Sequence, residues 1–191
     1  MVIAVFLDRD GTLNEERGYL RELESLELIP GAARAVRQLN DAGVLTILTT
    51  NQSGPARGYY GEDHVLALNE RLCHLLEQEG QAKMDALFYS PCLPDAQVEC
   101  YRKDDPNRKP GIGMIEMALK QFPDIDLKNS YTIGDKATDV EFGKNAGCKT
   151  ILLKTGYGEA VLNGTYQVLN QEPDYVCADI VEAIEVVLKN H

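Results

Sequence analysis

Two aspartates one residue apart, Asp8 and Asp10, close the apolar run at the start of the chain, VIAVFLDRDGTLN. Like charges held that near each other at a strand end repel, so a fold that keeps them together brings positive charge between them. A divalent metal ion is the first choice. A carboxylate placed like Asp8 can attack phosphorus and carry the phosphoryl group until water releases it. Asp10 is then near enough to protonate the leaving oxygen and afterwards to activate that water, help that contributes about 10²–10⁴ in rate.

Later stretches supply partners for such a step. LTTN offers Thr50 and Asn51, with Gln52 and Ser53 directly after; RKPG offers Arg108 and Lys109; GDK offers Asp135 and Lys136. Asp8, Asp135 and a backbone oxygen of Asp10 form a hard-oxygen ligand set for Mg²⁺, with waters and a phosphate oxygen completing an octahedron. Lys109 and the Thr50 hydroxyl are suited to the remaining phosphoryl oxygens. Three carboxylates and a phosphate dianion carry about −5, and Mg²⁺ with Lys109 about +3. A protonated Asp10 and the Arg108 cation bring the sum near zero.

The elements that must position these groups can be read from periodicity. VIAVFL reads as a strand buried on both faces, GAARAVRQLNDAG as a helix stopping at Gly43, and VLTILTT as a second strand. EDHVLALNERLCHLLEQEG puts Val65, Leu68, Leu72 and Leu75 on one helical face, and MDALFYS follows as a strand. The alternation continues with helix GIGMIEMALKQF, strand SYTIG, helix KATDVEFGKNAG, strand KTILLK, a strand near DYVCA and helix DIVEAIEVVLKN. The pattern predicts an α/β fold, a doubly wound parallel sheet flanked by helices, with no large cap domain and residues 1–191 forming one domain. Ligands of such sheets bind beyond the carboxyl ends of the strands, where the polar residues named above lie. SPCLPDAQVECYRKDDPNRKPG and TGYGEAVLNGTYQVLNQEPD read as loops, and loops of that length often serve as lids or binding elements.

Composition narrows the partners. With 19 Lys and Arg against 30 Asp and Glu, the net charge of −11 opposes nucleic acid and anionic membranes, while a few local cations still permit a small anionic substrate. The N-terminal apolar run is too short for a signal peptide or a membrane span. Five scattered cysteines, Cys73, Cys92, Cys100, Cys148 and Cys177, suit reduced thiols in a cytoplasmic protein. With no exposed apolar stripe evident, a monomer is the expectation.

DRDGT at 8–12, LTTN at 48–51, RKPG at 108–111 and GDKATD at 134–139, in this order, resemble the four motifs of haloacid dehalogenase superfamily phosphatases. LDRDGTLNEERGY, TNQSGPARG and RKPG followed by GDK are similar to a small, capless subgroup acting on heptose 1,7-bisphosphate or histidinol phosphate. The resemblance implies a Mg²⁺-dependent phosphatase with Asp8 as nucleophile and Asp10 as acid and base. It implies that Thr50 and Lys109 steady the phosphoryl group and that Asp135 holds the metal. It also implies substrate contacts at Glu16, Arg17, Gly18, Tyr19, Asn51, Gln52, Ser53 and Arg108, with Arg57 and Lys136 meeting a second phosphate or a sugar hydroxyl. The substrate expected is a phosphorylated sugar, heptose 1,7-bisphosphate losing its 7-phosphate, with histidinol phosphate the alternative. Many relatives hold a structural zinc after the third strand, but here CLP and DPN keep one ligand position, Cys92, so no structural zinc is expected.

Taken singly, each motif has a structural reading: DRD as a surface turn, Asp135 of GD as a helix cap, RKP as a basic turn. Asp139 could assist the metal or pair with a lysine one turn away. A phosphoacceptor receiver domain uses similar residues but phosphorylates an aspartate after its third strand, where this chain reads FYSPC.

Overall fold

The structure, a computed structural model, describes residues 1–190. Six parallel strands form one sheet in the order β3-β2-β1-β4-β5-β6. They are β1 (Ala4–Leu7), β2 (Leu45–Asn51), β3 (Ala86–Ser90), β4 (Tyr131–Gly134), β5 (Lys149–Leu153) and β6 (Tyr175–Cys177). The helices are α1 (Ala32–Asp41), α2 (Glu62–Gly80), α3 (Gly113–Gln121), α4 (Ala137–Ala146), α5 (Gly158–Leu162) and α6 (Ile180–Lys189). No helix among the described residues is long and apolar enough to cross a membrane.

All four residues of β1 are buried, as its unbroken apolar run requires for a strand covered on both faces. Alternation along the strand divides them. Val5 and Leu7 join the core under α1, α2 and α6, with Val36, Leu39, Leu72 and Ile184. Ala4 and Phe6 face the other way, onto Met114 and Ala118 of α3 and Phe142 of α4. The chain winds from β1 outward to β3, then returns across the sheet to β4 before winding outward again. A right-handed crossover in the opposite direction must use the opposite face, which is why α3 and α4 lie across from α1 and α2.

That reversal leaves β1 and β4 side by side, paired Val5 to Tyr131 through Leu7 to Ile133. Their carboxyl ends form the switch point of the sheet, where neighbouring loops part in opposite directions and leave a crevice. The segment after β5, read from sequence as a loop, contains the short helix α5.

Candidate active site

Asp8 continues the strand pairing beyond β1, its backbone N–H donating to Ile133 O at 3.0 Å. Its carboxylate therefore leaves the sheet at a fixed angle, 5% exposed. Asp135, fully buried, is the first residue after β4. Gly11, at φ +78°, makes room beside it. A side-chain carbon there would come within 2.3 Å of Asp135 Oδ2, so the DGT turn demands glycine for both conformation and space.

Lys109 arrives from the far side. Asn51 clasps its backbone, accepting from Lys109 N at 2.9 Å and donating to Lys109 O at 3.1 Å. The buried ammonium then meets Thr49 O at 2.8 Å, Asp139 Oδ1 at 2.5 Å and Asp8 Oδ1 at 3.0 Å. Burial alone would raise the Asp8 pKa, but the charges of Lys109 and Lys136 outweigh it and hold the carboxyl at about 2. Asp135 behaves oppositely: burial, with Asp8 and Asp139 nearby, outweighs Lys136 and pushes it up to about 7. Lys136 is held well above its usual range despite burial, because it faces Asp8, Asp135, Asp139 and Glu16.

Asp10 is fixed by donors on every side. Gln52 Nε2 donates to Oδ2 at 2.8 Å, Asn14 Nδ2 to Oδ1 at 3.0 Å, and the Arg9 guanidinium pairs with Oδ2 at 3.0 Å. Arg9 is itself 1% exposed and bonds Asn69 on α2 and Gln52. Gln52 also donates to Thr50 Oγ1 at 3.0 Å, which leaves the Thr50 hydroxyl proton free to point elsewhere.

The arrangement fits a hard cation. Asp8, Asp135 and Asp139 each bring one oxygen within 4.8 Å of the others. Asp139 is already committed, Oδ1 to Lys109 and Oδ2 to the Lys136 N–H, where it completes the capping box of α4. Asp8 Oδ1, although buried, makes no hydrogen bond of good geometry. Asp135 Oδ1 and Asp8 Oδ2 lie 2.9 and 3.8 Å from Lys136 Nζ, an internal cation drawn to the same negative potential. Carboxylate oxygens of this kind select Mg²⁺ or a similar oxygen-preferring ion.

The cleft above holds about 250 Å³, and its wall includes Glu16, Gly18, Tyr19, Ser53, Arg57, Arg108 and Lys136. Glu16 accepts from Gly18 N at 2.7 Å and pairs with Lys136 at 3.2 Å. Arg57 Nε donates to Tyr19 OH at 2.6 Å, and Tyr19 OH lies 3.2 Å from Ser53 Oγ. Arg17 departs from the sequence-based expectation. It does not line the cleft, because its guanidinium pairs with Glu27 at 2.6 Å on the exposed surface. Asn51 and Gln52 line the cleft, but their amides are engaged in holding Lys109, Asp10 and Thr50.

In the loop before Arg108, Asp105 accepts from Ser90 Oγ at 2.7 Å and from Asn107 N at 3.1 Å. Glu62 at the start of α2 accepts from both Tyr89 and Tyr101, at 2.7 and 3.0 Å. Arg108 then reaches the cleft with one nitrogen bonded to Cys92 O at 3.0 Å. Polar clasps and the Ala56–Leu93–Ala96 cluster thus order the loop.

Several site residues escaped the sequence reading. Arg9 sits within the first motif and Asn14 two residues beyond it, yet only the fold reveals that both grip Asp10. After β5, Thr155 Oγ1 donates to Gly11 O at 2.6 Å, Tyr157 N donates to Asp135 Oδ2 at 2.8 Å, and Tyr157, Tyr166 and Gln167 line the cleft. Extending the strand-end rule to β5 would have found Thr155 and Tyr157.

A HAD-hydrolase-like family model matches residues 106–183. The chain is 50% identical over 185 residues to D-glycero-D-manno-heptose-1,7-bisphosphate 7-phosphatase of Thermosynechococcus vestitus, covering 95% of this chain and 93% of that one. It is 42% identical over 154 residues to D-glycero-beta-D-manno-heptose-1,7-bisphosphate 7-phosphatase of Haemophilus ducreyi, covering 80% and 84%. Among solved structures, D,D-heptose 1,7-bisphosphate phosphatase from B. bronchiseptica, complexed with magnesium and phosphate, superposes with a TM-score of 0.83 at 29% identity, over all of both chains.

Proposed function

This chain belongs to the haloacid dehalogenase-like phosphatases, hydrolases of phosphomonoesters, and from that premise we propose that it removes the 7-phosphate of D-glycero-D-manno-heptose 1,7-bisphosphate. The observation that carries the substrate reading is a cleft with cations at two levels. Lys109 stands at the buried floor, and Arg57 and Arg108 stand in the wall above it, an arrangement suited to a compact molecule with two phosphates. The names of the relatives support the same choice.

In this reading residues 1–191 act as one catalytic domain, a monomer in the cytoplasm. The phosphoryl group to be removed sits at the floor, its oxygens met by Lys109 Nζ and the Thr50 hydroxyl. The Asp8 carboxylate attacks phosphorus and the bond to the sugar oxygen breaks, while protonated Asp10 gives its proton to that oxygen. Water then loses a proton to Asp10 and attacks the aspartyl-phosphate, releasing inorganic phosphate and restoring the Asp8 carboxylate. Asp8, Asp135 and the backbone oxygen of Asp10 would hold Mg²⁺. When bound, the ion offsets charge on the transferring phosphoryl oxygens. Arg9, Asn14 and Gln52 keep Asp10 aimed at the reacting oxygen throughout.

Phosphate release from heptose 1,7-bisphosphate and histidinol phosphate, with Mg²⁺ present or chelated, tests the proposal. Mg²⁺-dependent preference for the heptose bisphosphate is expected. Equal or better turnover of histidinol phosphate would reject the substrate reading.

A further inference from the structure

The segment joining β5 to β6 supplies a cleft wall that phosphoryl transfer does not use. Tyr157 and Tyr166 stack there with ring centroids 4.2 Å apart and planes 9° from parallel. Both rings and Gln167 face the same cleft as Asp8 and Lys109. The segment is tied to the floor at three points: Thr155 to Gly11, the Tyr157 N–H to Asp135, and Gln167 Oε1 accepting from Ala137 N at 3.1 Å at the first turn of α4. Gly156 allows the approach, since a side-chain carbon there would come within 2.1 Å of Asp135 Oδ2. The tyrosine wall is therefore set in register with the phosphoryl site.

Its chemistry differs from that of the other wall. Arg57 and Arg108 present charge to an anion, whereas the tyrosines present ring surface and phenol oxygens. Neither phenol has a hydrogen-bond partner among the described residues, and Tyr166 is 47% exposed. A stack needed only for packing would gain nothing from two hydroxyls at a cleft, while a ligand rich in C–H faces and hydroxyls uses both parts of each side chain.

We propose that Tyr157, Tyr166 and Gln167 form the surface that receives the polyhydroxylated carbon chain of the substrate, making the β5–β6 segment a specificity determinant. The inference rests on the reading of the substrate as a phosphorylated sugar. With one face of each ring used in the stack and Lys136 Nζ 5.2 Å from the Tyr157 centroid, the exposed Tyr166 ring takes the sugar's C–H face, Tyr157 backs it, and the phenols and the Gln167 side-chain N–H meet the hydroxyls.

Steady-state kinetics on Tyr166→Ala and Tyr166→Phe test it, using heptose 1,7-bisphosphate, fructose 1,6-bisphosphate and acetyl phosphate, which has a phosphoryl group and no polyol. Tyr166→Ala is expected to raise KM for the preferred sugar bisphosphate about tenfold, with kcat falling less than KM rises. The ratio of kcat/KM for that sugar over acetyl phosphate should drop at least about fivefold, and Tyr166→Phe should recover the part owed to the ring. Proportional losses on sugar and acetyl phosphate would assign the wall to holding Asp135 and overturn the inference, as would no change on either. If the wild type favours fructose 1,6-bisphosphate and the ratio still falls, the heptose reading fails and the wall stands. If the wild type favours no sugar over acetyl phosphate, both fall.

Discussion

At the floor of the cleft, Asp8, Asp135, Asp139 and Lys109 are 5, 0, 3 and 4% exposed, and each charge is answered mainly by another. At the rim, Tyr19 and Tyr166 are 39 and 47% exposed, and Arg57 meets a phenol instead of a carboxylate. Buried charges cannot relax into water, so each fixes the position and protonation of the next. Exposed side chains keep solvent as an alternative partner and can be exchanged at small cost. In the proposed reaction the floor sets which bond is broken, and the rim sets which molecule presents it.

Substitutions should separate the two regions. Asp8→Asn removes the attacking oxygen's charge and should lower kcat by about 10³-fold or more with the fold intact by circular dichroism. Near-normal turnover would remove the covalent route. Lys109→Met should lower kcat by about 10²–10³-fold. Because it strands two buried carboxylates, it should also cost about 3–5 kcal/mol in urea unfolding, and an undisturbed midpoint would contradict the coupling described for the floor.

Protons probe the same coupling in metal-free protein. Asp8, lowered from 3.8 to about 2, contributes stability that is present above pH 4 and lost as pH falls through 2. Asp135, raised from 3.8 to about 7, contributes stability that is full below pH 4 and lost as pH rises through 7. In chelator, the Asp135 contribution should lower the free energy of unfolding by an amount on the order of a few kcal/mol between about pH 4 and 7, read as a falling Tm, and Mg²⁺ should restore most of it. A Tm indifferent to Mg²⁺ at pH 8 would argue against these carboxylates as its ligands.

At the rim the effects shrink. Arg57→Ala should raise KM for the bisphosphate by about three- to tenfold while lowering kcat less. Arg17→Ala should stay within about twofold in kcat/KM, because its exposed pair with Glu27 is worth roughly 0–1 kcal/mol and points away from the cleft. A large loss in that variant would blur the boundary between wall and outer surface.

The two regions also differ in how far the sequence revealed them. β1, β2 and β4 are apolar runs ended abruptly by polar residues, and a parallel sheet gathers such ends in one place, so Asp8, Thr50 and Asp135 could be brought together from spacing. Periodicity does not report which side chains meet across the fold. Gln52 follows Thr50 as a substrate contact would, yet its amide is taken by Asp10 and Thr50. Arg9 bonds Asn69, sixty positions away, and no local pattern encodes that contact. Asp139, read from sequence as a helper of the metal or a partner of Lys136 or Lys144, caps α4 and pairs with Lys109, a lysine thirty positions away that helical spacing does not reach. The tyrosine wall was hidden inside a stretch whose composition reads as loop, where identity alone does not say which residues turn inward.

The central placement of β1 has a consequence for local opening of the chain. Its amides are paired on both edges and covered on both faces, and the Asp8 N–H belongs to the same ladder. Such amides are expected to exchange with deuterium only when the whole sheet comes apart, and those of the β5–β6 segment through smaller openings. Gradual denaturation should thus loosen selection among substrates before the attacking carboxylate loses its place.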